Sequence, residues 1–399
     1  MRGREAPLLV LLAMFLGALA LRPQLVGVGP LLPEIDDDLG VSHAVAGLLG
    51  TIPVLCMGLF APPAAYVSAR LGTRGAVAAC LAGIAVFGIA RAAAPGAPLV
   101  LALTFPIGVG MGLAGAILPV AVKERFADRP AFASGIYTTG INMGAALSSA
   151  LAVPVAAAWG GWRAALAVFS ACTILCFAAW LVFTPAEREP VQAEPPPRLP
   201  WRRRVVWGLA AVFALQSVVY YGLVSWMPDS FQERGWSEAS AGALLGVMAV
   251  AALPSGLLVP FLADRGGSRR QWLTLCAGAL LVATIGIAAL PGGGFAWAIL
   301  AGLGIGATFP LSMTLPLDVA RDPADTGAVV GLMLGAGYSI TAVGPILLGA
   351  VRDATGSFSA SLWVLVAVAA GFVASVLPLS PARLRPADRQ RVKAEAMIR

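Results

Sequence analysis

Arg22 is the residue of this chain with the most chemistry to offer. It stands about halfway along an apolar stretch running from about 8 to 32, roughly 10–15 Å from either end at 1.5 Å per residue. A guanidinium at such a depth costs on the order of 3 kcal/mol to insert into a bilayer, so it is expected to face a cavity or a partner. Its planar fork of donors suits an oxyanion or another electron-rich group. Pro23 has no N–H and disrupts helical bonding around Leu19. Polar side chains recur at the same depth in three other apolar stretches: Tyr137, Thr138, Thr139 and Asn142; Gln216, Ser217, Tyr220 and Tyr221; Tyr338, Ser339 and Thr341. Thr138 with Asn142, and Gln216 with Tyr220, are four apart and share a helix face. Four of the five tyrosines thus crowd the middle of a stretch, whereas interfacial anchors would sit at its ends. As a set, Arg22, Tyr137, Asn142, Gln216, Tyr220, Tyr221 and Tyr338 read as a substrate-binding site.

Other chemistries find little support. Cys56, Cys80, Cys172, Cys176 and Cys276 all lie in apolar runs, away from an oxidising aqueous face, so disulfides and metal sites are not expected. The one histidine, His43, reads as a solvated loop residue, and a membrane enzyme would need a cluster of titratable groups that is lacking here. Gly108, Gly110 and Gly112, like Gly302, Gly304 and Gly306, resemble a nucleotide loop only superficially. Each set lies inside an apolar stretch with no strand before it, and close helix packing explains it better. No cofactor is expected.

The elements that position these residues follow from composition. Of 399 residues, 59% are apolar and only 12% charged, about half the charge of a soluble domain. Apolar stretches fall near 8–32, 44–68, 75–92, 98–121, 132–157 and 164–184, then near 205–228, 239–262, 271–290, 295–317, 327–350 and 360–379. Each matches the roughly 20 residues of a membrane-spanning helix. The expected architecture is an all-α membrane protein of twelve spans: a six-helix bundle over 1–184, a cytoplasmic linker over 185–204, a second bundle over 205–380 and a tail over 381–399. The first stretch runs past the signal-like Ala18-Leu19-Ala20 and is read as an uncleaved span. The net charge of +7 and the Arg202-Arg203-Arg204 run do not indicate nucleic acid, because the basic residues gather in alternate loops. With the N-terminus cytoplasmic, 22 Lys and Arg lie on that side, against Arg91, Arg163, Arg234 and Arg352 outside; both termini are therefore expected inside.

The halves resemble each other at an offset of 195. Aligning 33–49 with 228–244 matches seven of 17 positions without a gap, and the same offset carries Arg70, Gly72 and Arg74 onto Arg265, Gly267 and Arg269. Two like-oriented six-helix repeats are the plan of a transporter whose halves rock about a site near the bilayer midplane. Asp264-Arg265-Gly266-Gly267-Ser268-Arg269 resembles the Asp-Arg-x-Gly-Arg loop of the major facilitator superfamily, and Gly160-Gly161-Trp162-Arg163 is also typical of it. The resemblance implies that Asp264, with Arg265 and Arg269, latches neighbouring helix ends and takes part in gating. Ala69 replaces the acid in the first half.

Leu21-Arg22-Pro23 followed by Val28-Gly29-Pro30 resembles the first helix of the cyanate permease and 2-nitroimidazole transporter branch. Gly135-Ile136-Tyr137-Thr138-Thr139-Gly140, Leu215-Gln216-Ser217 and Gly337-Tyr338 agree. That branch implies a small anion or small polar planar solute, with Arg22 and Gln216 carried over as site residues. Gly115 and Leu334 stand where members often carry amides, which leaves the solute open. The reading is a carrier, expected as a monomer in a bacterial inner membrane, with no nucleic-acid partner and no ATP-binding loop. The alternative is drug or metabolite efflux on the same fold, and a membrane enzyme or channel ranks behind both. No Asp, Glu or His lies near the centre of a span, so uniport or exchange is expected rather than symport through a buried carboxylate.

Overall fold

A computed structural model describes residues 2–41, 43–185, 198–266 and 268–379. Most of the expected linker, 186–197, and the tail over 381–399 lie outside the described residues, as does the side chain of His43. The described chain is helical: α1 (Arg2–Leu19), α2 (Pro23–Val26), α3 (Leu32–Leu39), α4 (His43–Leu59), α5 (Ala64–Ala92), α6 (Ala97–Arg125), α7 (Pro130–Trp159), α8 (Trp162–Phe183), α9 (Arg204–Glu233), α10 (Glu238–Arg265), α11 (Arg269–Ala289), α12 (Gly294–Val319), α13 (Pro323–Thr355) and α14 (Phe358–Val376).

Eleven segments among the described residues are long and apolar enough to cross a membrane. The second expected span is shared between α4 and the first turns of α5. Pro62 and Pro63 cause the interruption, since neither supplies an N–H to continue a helix. Gly72, at φ 68°, then kinks α5 where the next expected span begins.

The chain forms two units, 1–121 with 136–198, and 122–135 with 199–399. The connector between α6 and α7 therefore belongs to the second unit, although most of both helices belongs to the first. In the first unit, a core of Val28, Leu31, Ile35, Trp162, Leu166 and Phe169 joins the segment after α1 to α8. In the second, α12 packs against α10 and α11, and α9 packs against α13 and α14.

Both glycine triplets serve helix crossings. A Cβ on Gly108 would stand 2.7 Å from Pro53 Cα and one on Gly112 2.8 Å from the Cys56 carbonyl, both on α4, while Gly110 faces Cys80 and Ile84 of α5. In the second unit, Gly302 and Gly306 would meet the carbonyls of Met248 and Ala252 on α10, and Gly304 that of Cys276 on α11. Alternate glycines thus let one helix approach two neighbours at backbone distance, and small-residue crossings of this kind hold helices together in lipid.

Candidate functional site

In the first unit, α1 stops at Leu19 and resumes as α2 at Pro23. Ala20 N still bonds the Leu16 carbonyl, but Leu21 N turns to Ala18, and the Arg22 carbonyl takes the amides of Leu25 and Val26 at 3.0 and 2.9 Å. Arg22 occupies the break at φ −103°, half-buried. Its Nη1 lies 4.0 Å from Met57 Sδ of α4. Across the break runs α7, where a Cβ on Gly140 would stand 2.3 Å from the Phe15 carbonyl and one on Gly144 2.1 Å from that of Leu19. α7 therefore lies against the open end of α1, and it carries Tyr137, 1% exposed, and the half-buried Asn142.

A buried charge lies beside this break that the topological reading of the sequence placed in an outer loop. Arg91, in the last turn of α5, is 0% exposed. It bonds Gln24 and Thr104. Nothing in the spacing of residues signals this, because an arginine at a span end is what a loop arginine also looks like. Gln24, likewise 0% exposed, was missed for its closeness to the more conspicuous Arg22.

In the second unit, Gln216 of α9 is 4% exposed and its Oε1 has no partner among the described residues. Tyr338 of α13, 5% exposed, stands edge-on to Phe213 of α9 with ring centroids 5.0 Å apart. Phe213 sits where a Cβ on Gly337 would be, 2.3 Å from its ring, so the glycine before Tyr338 seats this aromatic pair. Tyr220 and Tyr221 are half-buried and meet edge to face at 5.0 Å.

The charged loop residues gather within the second unit. Asp264, its side chain 8% exposed, accepts the amides of Ala131 at 3.2 Å and Phe132 at 2.7 Å in the first turn of α7. A carboxylate there satisfies amides that lack helical partners and suits the positive end of the helix dipole. Arg269 bonds Asp264 at 3.5 Å and also Asp318 of α12. Arg265 instead stacks over Phe261 at 4.0 Å. Nearby, Lys123 donates to the Leu317 and Ala320 carbonyls at 2.6 and 3.1 Å, and Arg203 Nη1 donates to both carboxylate oxygens of Asp325 at 2.9 Å.

Acidic caps hold other helix ends. In the first unit, Glu34 accepts the Trp162 amide at 3.1 Å, and Asp38 bonds Trp162 Nε1 and Arg163. In the second, Glu233 takes the Phe358 amide and the Ser357 hydroxyl. Gly160 and Gly161, at φ 94° and 96°, make the tight turn that brings Trp162 to Glu34.

A family model described as the Major Facilitator Superfamily matches residues 9–345. The 2-nitroimidazole transporter of Escherichia coli (strain K12) is 32% identical over 351 residues, 86% of this chain and 88% of its own length. The cyanate transport protein CynX of the same organism is 32% identical over 352 residues, 88% of this chain and 91% of its own. The solved structure of the proton:xylose symporter XylE shares the fold, with a TM-score of 0.78 at 14% identity, covering 94% of this chain and 96% of that one. The chain belongs to the Major Facilitator Superfamily, and it is a multi-pass membrane transporter of small solutes rather than an enzyme.

Proposed function

We propose that the transported solute is a small anion or a small polar planar molecule, with Arg22 as its anion contact. The observation that carries this reading is the half-buried Arg22 guanidinium at a helix break inside the first span. A charge there is costly unless water, a partner or an anion offsets it. Tyr137 and Asn142 in the first unit, and Gln216, Tyr220, Tyr221 and Tyr338 in the second, are the neutral groups assigned to the solute. The names of two relatives, which refer to cyanate and 2-nitroimidazole, support a solute of this size and flatness.

Alternating access would use the charged loops. Asp264, Arg265 and Arg269 act as a gate that lets go of the α7 amides in each cycle. The Lys and Arg asymmetry supports cytoplasmic termini, and bacterial relatives support an inner-membrane location. One chain carries both repeats, so a monomer suffices. Uniport or exchange fits a chain whose Glu34 and Asp318 lie near helix ends.

A second reading, extrusion of a larger organic solute, is favoured by Gly115 of α6, where a Cβ would meet nothing within 4 Å.

The test is binding and saturable counterflow of cyanate and 2-nitroimidazole in proteoliposomes. Arg22→Lys should bind much more weakly, since an ammonium cannot copy the planar fork, and Arg22→Ala should nearly abolish binding. Wild-type affinity in Arg22→Ala would overturn the anion contact and favour the extrusion reading.

A further inference from the structure

Arg91 is a fully buried cation whose partners are all neutral. Its Nη2 donates to both oxygens of Gln24, the backbone carbonyl at 2.8 Å and Oε1 at 2.7 Å, and its Nη1 to Thr104 Oγ1 at 3.2 Å. Among the described residues no carboxylate bonds it, and its Nε has no partner. A buried charge without a counter-ion is a heavy desolvation cost that neutral acceptors offset only in part. A buried apolar side chain would end α5 without that cost.

Placement of Gln24 is what the charge achieves. α2 has four residues, too few to satisfy its own carbonyls, and the Gln24 carbonyl is taken by Arg91. From the other side, Gln24 Nε2 donates to the Leu166 carbonyl at 3.0 Å and to Ser170 Oγ at 2.7 Å on α8. The segment is also pressed sterically: a Cβ on Gly27 would stand 2.6 Å from the Phe169 ring, and one on Gly88 2.5 Å from Ser170 Oγ and 2.9 Å from Gln24 Nε2. Gln24, two residues after Arg22, thereby ties this short helix to α5 and α8 at once through its backbone carbonyl and its side chain.

We propose that Arg91 and Gln24 form a clamp that positions Arg22 for its anion. Arg91 is a positioning residue and does not touch the solute. The proposal rests on the reading of Arg22 as the anion contact, because a loose helix segment would let the guanidinium wander from the geometry that binding needs.

The decisive variant is the pair Arg91→Met with Gln24→Leu in the full-length protein in nanodiscs, with cyanate and 2-nitroimidazole as probes. Replacing both partners of a buried polar contact by apolar side chains of similar volume is often nearly neutral for stability, and the backbone group that loses Arg91 as its donor is the Gln24 carbonyl. The melting temperature should therefore stay within about 5 °C of wild type, while Kd for the probe that wild type binds rises about tenfold or more. A pair variant that melts and binds like wild type overturns the clamp. Should the pair variant not fold, Gly88→Ala displaces Gln24 without removing a charge, and wild-type affinity in folded Gly88→Ala overturns the clamp equally. Weakened binding in Arg22→Lys with full binding in the pair variant sinks the clamp alone. No binding of either probe by wild type removes the anion contact and the clamp with it.

Discussion

Two loops at the repeat offset of 195 show how far the halves are alike. Tyr66 and Phe261 occupy equivalent positions, and each lies under the arginine four residues later, Arg70 at 4.5 Å and Arg265 at 4.0 Å. The next equivalent pair diverges. Arg74 turns onto the end of α8, donating to the Thr184 carbonyl at 2.9 Å and that of Leu181 at 2.7 Å, while Arg269 bonds two carboxylates, Asp264 and Asp318. The first loop has Ala69 where the second has Asp264. Without an acid, the arginine caps helix carbonyls and the loop is tied to its own unit's α8. With one, the loop takes the first-turn amides of α7 as well, and the arginine is drawn into a charge network. One carboxylate separates a loop that caps only the end of α8 from a loop that also holds the first turn of α7.

Removing that carboxylate should have the largest effect. Asp264→Ala strips a largely buried acceptor from two amides and one guanidinium, a loss of about 2–3 kcal/mol, seen as a lower melting temperature together with slower counterflow. If both stay at wild-type values, the two loops are functionally equivalent and the difference has no consequence. Arg269→Ala should cost less, about 1–2 kcal/mol, because Asp264 keeps its amides and Asp318 is 36% exposed, where ion pairs are screened. Thermal melting in low and high salt would check this, with the wild-type-to-variant gap expected to narrow as salt rises.

Ala69→Asp asks whether the acid alone accounts for the difference between the two loops. The new carboxylate can pair with Arg74 only by competing with the Leu181 and Thr184 carbonyls, so stability should change by less than about 1 kcal/mol and counterflow should hold. A gain as large as the Asp264→Ala loss would show that the acid suffices and that its surroundings do not matter. The smallest effects belong to the features the loops share. Arg70→Gln and Arg265→Gln each remove an exposed cation–π contact worth about 0.5–1 kcal/mol, and equal melting shifts are expected. A marked inequality would break the equivalence of the two stacks.

Hydropathy alone marked the spans because every stretch that crosses lipid must be long and apolar, and the repeat was visible in Arg70 and Arg74 against Arg265 and Arg269. Asp264 stood out for the same reason, being an acid at a span end within a recognisable loop pattern. The interruption at Pro62-Pro63 was harder to see, since prolines inside membrane spans are common and only the backbone path tells a bend from a break. Tyr137, Gln216 and Tyr338 were legible as polar groups in apolar surroundings, and their burial follows from the faces those residues occupy on α7, α9 and α13.

Residue type and order thus determined how many segments could cross, where the halves repeat, and which charged loop could hold a helix end, because these depend on composition and on spacing along one chain. The tertiary structure alone decided where a side chain at a span end goes. Arg91 and Arg163 look alike in sequence as outer arginines. Arg163 is a part-exposed partner of Asp38, whereas Arg91 is 0% exposed and bonded to Gln24. The turn of α5 that carries Arg91 faces α2, and a helix's rotation about its own axis is set by the neighbours it packs against rather than by its own sequence of apolar residues.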